Sequence, residues 1–256
     1  MRILLTNDDG VAAPGLALLA EIAATFSDDV WIVAPAEDQS GAGHSLTISR
    51  PLRLRKVSER RFAVVGTPTD AVLMALGKLM KDHKPDLILS GINRGANLAE
   101  DVTYSGTASA AMEGALAGIP SIALSQAGHE SRGNAVSFDT AREWGARVIA
   151  PLIETQMAAG TLVNVNFPAD AGDAVKGMRL CRQGRRDYGR AEVVKRTDPR
   201  GFSYYWLGLG PARESPAHDT DLEAIADGWV SVTPLHLDMT HDPMLAVLRE
   251  RFSGSE

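Results

Sequence analysis

The chain has 256 residues, 26 of them basic and 32 acidic, for a net charge of −6. That length supports one large domain, or a core with an extension, and the mild acidity disfavours sequence-independent binding to nucleic acid. The single cysteine, Cys181, excludes a disulfide framework within the chain and a multi-cysteine zinc site, and reads as a small packing residue.

The first 167 residues alternate between strand and helix patterns. "RILLTN" (2–7) is a short apolar run. "PGLALLAEIAATF" (14–26) follows with helical periodicity, its proline suited to the first turn. "DVWIVAP" (29–35) reads as a second buried strand, and "LRLRKV" (52–57) with "RFAVVG" (61–66) as an antiparallel hairpin inserted after it. Thr67, Pro68 and Asp70 form a helix start, with the helix running to about Lys81. "DLILSG" (86–91), "SIALS" (121–125) and "LVNVNFP" (162–168) are further buried strands, separated by helices near 106–117 and 138–158. Near-continuous apolar strands between helices predict a parallel sheet covered on both faces.

After Pro168 the character changes. Residues 181–208 are rich in Arg, Gly and aromatics and read as strands in a long hairpin. A short helix (220–228), the strand "WVSVTP" (229–234) and a last helix (243–252) follow. The reading is therefore α/β: a mostly parallel core over 1–167 and a C-terminal extension over 168–256 within the same structural unit. No apolar run approaches the ~18 residues of a membrane span, and the first residues do not match a signal peptide. The expectation is a cytoplasmic protein.

In open parallel sheets, ligands bind beyond the carboxyl ends of the strands. Asp8 and Asp9 follow the first strand, Ser40 lies in the loop after the second, and Asn93 follows the third. Adjacent strand residues point to opposite faces, so both carboxylates reach one site only if the chain turns, which Gly10 permits. Two carboxylates ~4 Å apart repel by about 4 kcal/mol at an effective dielectric of 20, and a proton or a cation must relieve that. Oxygen ligands alone favour a hard divalent ion such as Mg²⁺ or Mn²⁺. By itself Asp-Asp-Gly also reads as a solvated turn, and the loop at 35–49 as a surface connection. His44 in that loop receives no catalytic role.

Residues 90–118, "SGINRGANLAEDVTYSGTASAAMEGALAG", are the most informative. Asn97 offers an amide donor to a phosphate, and Ser105-Gly106-Thr107 opens a helix whose free N–H groups suit an anion. Ser105 or Thr107 serving only as a cap is the plainer alternative.

On "ILLTNDDG", "VAPAEDQSG", "SLT", "GTPTD", "LSGINRGANLAEDVTYSGTASAAMEG" and "GIPSIALS" the chain resembles the SurE, or survival protein E, nucleotidases. "VNVNFP", "YYWLG", "TDLEAIADGWVSVTPL" and "MT" carry the resemblance through the extension. It implies a Rossmann-like three-layer core and a divalent-metal-dependent phosphatase acting on nucleoside 5′- and 3′-monophosphates, with cleavage of short polyphosphate in some members. It places one metal ion on Asp8, Asp9, Ser40 and Asn93, and phosphate contacts on Asn97, Ser105, Gly106 and Thr107. Asp8, Asp9 and Asn97 are then the catalytic candidates. It also implies a homodimer or homotetramer built through the extension. Ala71 stands where many members carry Cys, at a position that reads as helix packing.

Three rival readings have distinct signatures. A covalent aspartyl-phosphate enzyme typically spaces its two acids by one residue, and here they are adjacent. A non-catalytic nucleotide-binding module would lack turnover, and the chain has no G-x-G-x-x-G after its first strand. Nucleic-acid binding through Arg182 to Arg200 is disfavoured by the interspersed Asp187, Glu192 and Asp198. Tyr204, Tyr205 and Trp206 read as packing for the hairpin or an interface rather than as a base-stacking platform.

Overall fold

The computed structural model describes residues 1–128, 136–169, 174–186, 191–209 and 217–253. Its sheet begins with β1 (Arg2–Thr6), whose Ile3 and Leu5 enter one apolar cluster while Leu4 enters another on the opposite face. That alternation is the mark of a strand buried on both sides. β1 pairs in parallel with β2 (Asp29–Pro35) on one side and with β5 (Leu87–Arg94) on the other. Beyond β2 lie β4 (Arg61–Val65) and β3 (Arg53–Ser58), an antiparallel hairpin at the sheet edge, as the alternating pattern predicts. Beyond β5 come β6 (Ser121–Gln126) and β7 (Thr161–Phe167), both parallel.

The remaining two strands of this sheet come from beyond Pro168. β11 (Val230–His236) lies antiparallel to β7, and β8 (Met178–Leu180) parallel to β11. Among the described residues the order is β3-β4-β2-β1-β5-β6-β7-β11-β8. α1 (Pro14–Ala23) and α4 (Asp139–Ile153) cover one face. α2 (Pro68–Met74) and α3 (Gly106–Leu116) cover the other. The result is a Rossmann-like α/β fold.

Two boundaries differ from the sequence reading. α2 ends at Met74 and passes into a π-turn, Ala75–Leu79, closed by Met80 N–H donating to Ala75 O at 2.8 Å. The wider turn delivers Met80, 1 % exposed, into the core. α4 stops at Ile153, two residues after Pro151. The short strand β8 had no predicted counterpart.

Two elements project from this frame. β9 (Ala191–Thr197) and β10 (Ser203–Leu209) form a separate antiparallel hairpin. Asp198 folds its turn by accepting from the N–H groups of Arg200 and Phe202, at 2.9 Å each. Asp187 lies outside the described residues. α5 (Asp221–Ala226) packs near β11, whereas α6 (Asp242–Phe252) has no buried residue.

Candidate active site

The chain order reverses direction across the sheet between β1 and β5, which opens a crevice at their carboxyl ends. Thr6 stands opposite Ser90, so Asp8 and Asp9 fall just beyond the last paired positions. The Asn7 amide donates to Gly10 O at 3.0 Å and closes a turn there. Gly10 has φ +98°, and a Cβ on it would sit 3.2 Å from the Glu37 carbonyl carbon. Its absence lets the loop after β2 come in: Val11 N–H bonds Pro35 O at 2.7 Å and Gln39 N–H bonds Asp8 O at 2.8 Å. Ser40 follows Gln39 directly, so the same bond ties its loop to Asp8. Its hydroxyl donates to Asp38 Oδ1 at 2.6 Å, and its N–H to the same oxygen at 2.7 Å.

At the end of β5, Gly91 has φ +138° and a Cβ would meet Leu124 O at 2.2 Å, so only glycine fits. The pairing with β6 slips between Ser90 and Asn93, and Arg94 N–H then reaches Asp9 Oδ2 at 3.1 Å. Asn93 commits its amide nitrogen to Gly95 O at 2.9 Å, which turns its oxygen the other way. Asn97 is held from beneath. Its N–H donates to Asn166 Oδ1 at 2.8 Å, and its carbonyl accepts from Asn164 and Asn166 at 2.8 and 3.1 Å. Its own amide donates to Ser125 Oγ at 2.9 Å.

Helix α3 points its N-terminus at Asp8. Ser105 caps it, accepting from Ala108 N–H at 3.0 Å. A Cβ on Gly106 would lie 2.7 Å from Asp8 Cβ and 2.9 Å from Asp8 Oδ2. Thr107 donates its hydroxyl to Asp8 Oδ1. Ser105 therefore acts as the cap that was the plainer reading, while Thr107 faces a carboxylate.

Asp8 is buried and Asp9 half-buried. Burial, reinforced by the Asp9 charge and opposed by the Thr107 hydrogen bond, pushes the Asp8 carboxyl up to about 6. Burial also raises Asp9, with the nearby Asp38 adding to it and the Arg94 N–H opposing. Among the described residues no lysine, arginine or histidine side chain forms an ion pair with either. Ionising Asp8 in this surrounding costs about 3 kcal/mol, and a cation would offset that. No cluster of three or more His, Cys, Asp or Glu is placed to hold an ion among the described residues. Two carboxylates, with the neutral oxygens of Ser40 and Asn93 on the loops bonded to them, are a chemistry that would fit a hard divalent ion.

Asp8, Gly106 and Thr107 thus meet directly, Asp9 is held by Arg94 N–H, the loops of Ser40 and Asn93 are tied to the pair through Gln39 and Arg94, and Asn97 is bonded to Ser125. Sequence reasoning missed Asp38, Ser125, Asn164 and Asn166. The last two carried a signal, because asparagines at alternate positions of a buried strand mean that one of its faces is polar. His44 Nε2 lies 3.1 Å from Glu113 Oε2 on α3.

Comparison with known proteins identifies the family of the chain. Residues 3–190 match the family described as Survival protein SurE. A Rhizorhabdus wittichii protein named 5′-nucleotidase SurE is 63 % identical over 96 % of this chain and 97 % of its own length. One of the same name from Erythrobacter litoralis is 58 % identical over 98 % of this chain and 100 % of its own. The crystal structure of the SurE protein from Aquifex aeolicus superposes with a TM-score of 0.83, covering 98 % of this chain and 99 % of that one at 39 % identity. The chain belongs to the SurE family.

Proposed function

We propose that this protein is a divalent-metal-dependent phosphomonoesterase that hydrolyses nucleoside 5′- and 3′-monophosphates to nucleoside and phosphate. The observation that carries the reading is the adjacent pair of buried Asp8 and half-buried Asp9, neither in an ion pair among the described residues, with Asp8 facing the N-terminus of α3. The names of the R. wittichii and E. litoralis relatives support nucleotides as the substrate class.

Asp8, Asp9, Ser40 and Asn93 would hold one Mg²⁺ or Mn²⁺. Such an ion supplies Lewis acidity at a phosphoryl oxygen and lowers the pKa of a bound water. The catalytic groups are Asp8, Asp9 and Asn97. The carboxylates orient the attacking water and accept its proton. Asn97, Ser105, Gly106 and Thr107 orient the phosphate and stabilise its developing charge through N–H and hydroxyl donors. Exopolyphosphatase side activity and a cytoplasmic setting belong to the same proposal. No described helix is long and apolar enough to cross a membrane.

Homodimers or homotetramers through residues 168–256 are also proposed. Their support is apolar surface on the projecting elements: Phe202, Tyr205, Trp206 and Leu207 around the hairpin, and Val247, Leu248 and Phe252 on α6, are all exposed.

The test is phosphate release from a panel of nucleoside monophosphates by metal-stripped protein, by protein with Mg²⁺ or Mn²⁺ restored, and by Asp9→Asn with metal restored. Turnover should require metal and collapse in Asp9→Asn. Folded protein that binds nucleotide but releases no phosphate in any metal would overturn the reading in favour of a binding module.

A further inference from the structure

The extension contributes to the active-site loop a buried carboxylate that the proposed mechanism does not use. Asp221, at the start of α5, is wholly buried. Its Oδ2 accepts from Ala99 N–H at 2.8 Å, while its Oδ1 accepts from Gly184 and Leu222 N–H, also at 2.8 Å. Ala99 follows Asn97 by two residues and opens the 3₁₀ turn Ala99–Thr103 that leads to Ser105. It has φ +51°, a conformation that L-residues other than Asn and Asp rarely adopt.

The other side of Ala99 is held as well. The Gln183 amide donates to Ala99 O at 2.8 Å, so both peptide groups of this residue are tied to the extension. Asp221 itself is anchored: its N–H donates to Arg182 O at 3.0 Å, and Arg182 N–H donates to Asp219 O at 2.9 Å. Gly184 completes the fit, because a Cβ there would come within 2.8 Å of Asp221 Oδ1. Two residues further along, Arg186 N–H reaches Glu100 Oε2 at 2.8 Å and its guanidinium lies 3.1 Å from Asp101.

We propose that Asp221 is a positioning residue for phosphate binding: by holding Ala99 in its left-handed conformation, it sets the path of the chain from Asn97 to Thr107. This rests on the assignment of Asn97 and Ser105–Thr107 to the phosphate. Of the Asp pair only Asp8 touches this segment, through Thr107 and Gly106; Gln39 N–H holds the Asp8 carbonyl and Arg94 N–H the Asp9 carboxylate from outside it, so loss of the clamp should weaken phosphate affinity more than metal affinity. Asparagine is a poor substitute. It keeps one oxygen and turns an NH₂ group toward N–H donors that the carboxylate accepted.

The experiment uses the full chain loaded with Mn²⁺. For wild type, Asp221→Asn, Gln183→Ala and Asp221→Asn/Ala99→Gly it measures KM and kcat for a nucleoside monophosphate. Inorganic phosphate binding by calorimetry, Mn²⁺ affinity by electron paramagnetic resonance and the melting temperature complete the set. Asp221→Asn should weaken both KM and phosphate binding about tenfold, with Mn²⁺ affinity held within about twofold. Gln183→Ala, the milder variant, should show about threefold on the same two quantities, and it carries the test if Asp221→Asn fails to fold. Ala99→Gly should restore part of the loss in the double variant, because glycine adopts positive φ unaided. A lowered melting temperature with unchanged KM and phosphate binding would overturn the proposal, as would a parallel fall in Mn²⁺ affinity or no rescue by glycine. Failure of the nucleotidase reading shows separately, as absence of turnover in the wild type, and phosphate calorimetry still decides the clamp in that case.

Discussion

Thr107, at the second position of α3, donates its hydroxyl to the carboxylate of Asp8, 99 residues earlier in the chain. The bond joins the first strand to the helix whose positive end faces the crevice. It also favours the charged form of a carboxylate that burial pushes toward neutrality.

Replacing Thr107 by valine removes that donor and keeps the shape. In metal-free protein the Asp8 carboxyl should then titrate above about 6, which carboxyl carbon NMR would read directly. Turnover at pH 6 should fall by more than turnover at pH 8, because more of Asp8 carries a proton at the lower pH. An unchanged titration would show that burial and the Asp9 charge set its acidity without Thr107.

Asp8→Asn trades activity for stability. Asp8 titrates at about 6 in the folded protein against an ordinary 3.8, so its ionisation opposes folding. That penalty is absent below pH 4, grows between 4 and 6, and is complete above 6. Metal-free Asp8→Asn should therefore be more stable than wild type at pH 8, by up to about 3 kcal/mol, with the difference closing by pH 4. The same variant should lose Mn²⁺ binding and turnover together. Urea unfolding at the two pH values checks the first statement.

Asp38 holds the Ser40 hydroxyl through its proton, which leaves the lone pairs of Ser40 to a ligand. Asp38→Asn should weaken Mn²⁺ binding by about tenfold. In a Ser40→Ala background the same change should have a smaller effect. Equal losses in both backgrounds would mean that Asp38 acts through its charge on the ion alone. A Mn²⁺ titration of the four proteins distinguishes the two.

Asp70 links the Ser40 loop to α2. It accepts from Thr47 N–H at 3.0 Å and from Thr67 N–H at 2.8 Å, and Thr67 in turn donates to Ser45 O at 2.8 Å. Burial raises its pKa, but the hydrogen bonds from Thr47 and Thr67 outweigh burial, and the net shift is downward. Its stabilisation is therefore present above the ordinary carboxylate range and disappears as pH falls through the lowered folded value. Asp70→Asn should cost about 1–2 kcal/mol at pH 7 and progressively less toward pH 2. Thermal unfolding across that range is the check.

The core strands were legible in the sequence because a strand covered on both faces leaves an unbroken apolar run, as β1, β5 and β6 do. The hairpin β3–β4 showed its half-exposed alternation. Asp8 and Asp9 stood out because two adjacent acids at the end of such a run demand a reason. Asp221 and Ser125 did not, since their partners are backbone groups or residues distant in the chain. Ala99 gave no sign of its positive φ, because that conformation is imposed by Asp221 and Gln183 rather than by its own side chain.

The place of β11 bears on how the protein is made. β7 is an internal strand only because residues 230–236 pair along its outer side. During synthesis it leaves the ribosome long before that partner, with a row of main-chain donors and acceptors facing water. The nascent chain thus carries an open edge until residues 230–236 have been translated. Closure of the sheet on this side therefore waits for β11, about sixty residues after β7, and until then the edge is a template on which another chain could pair.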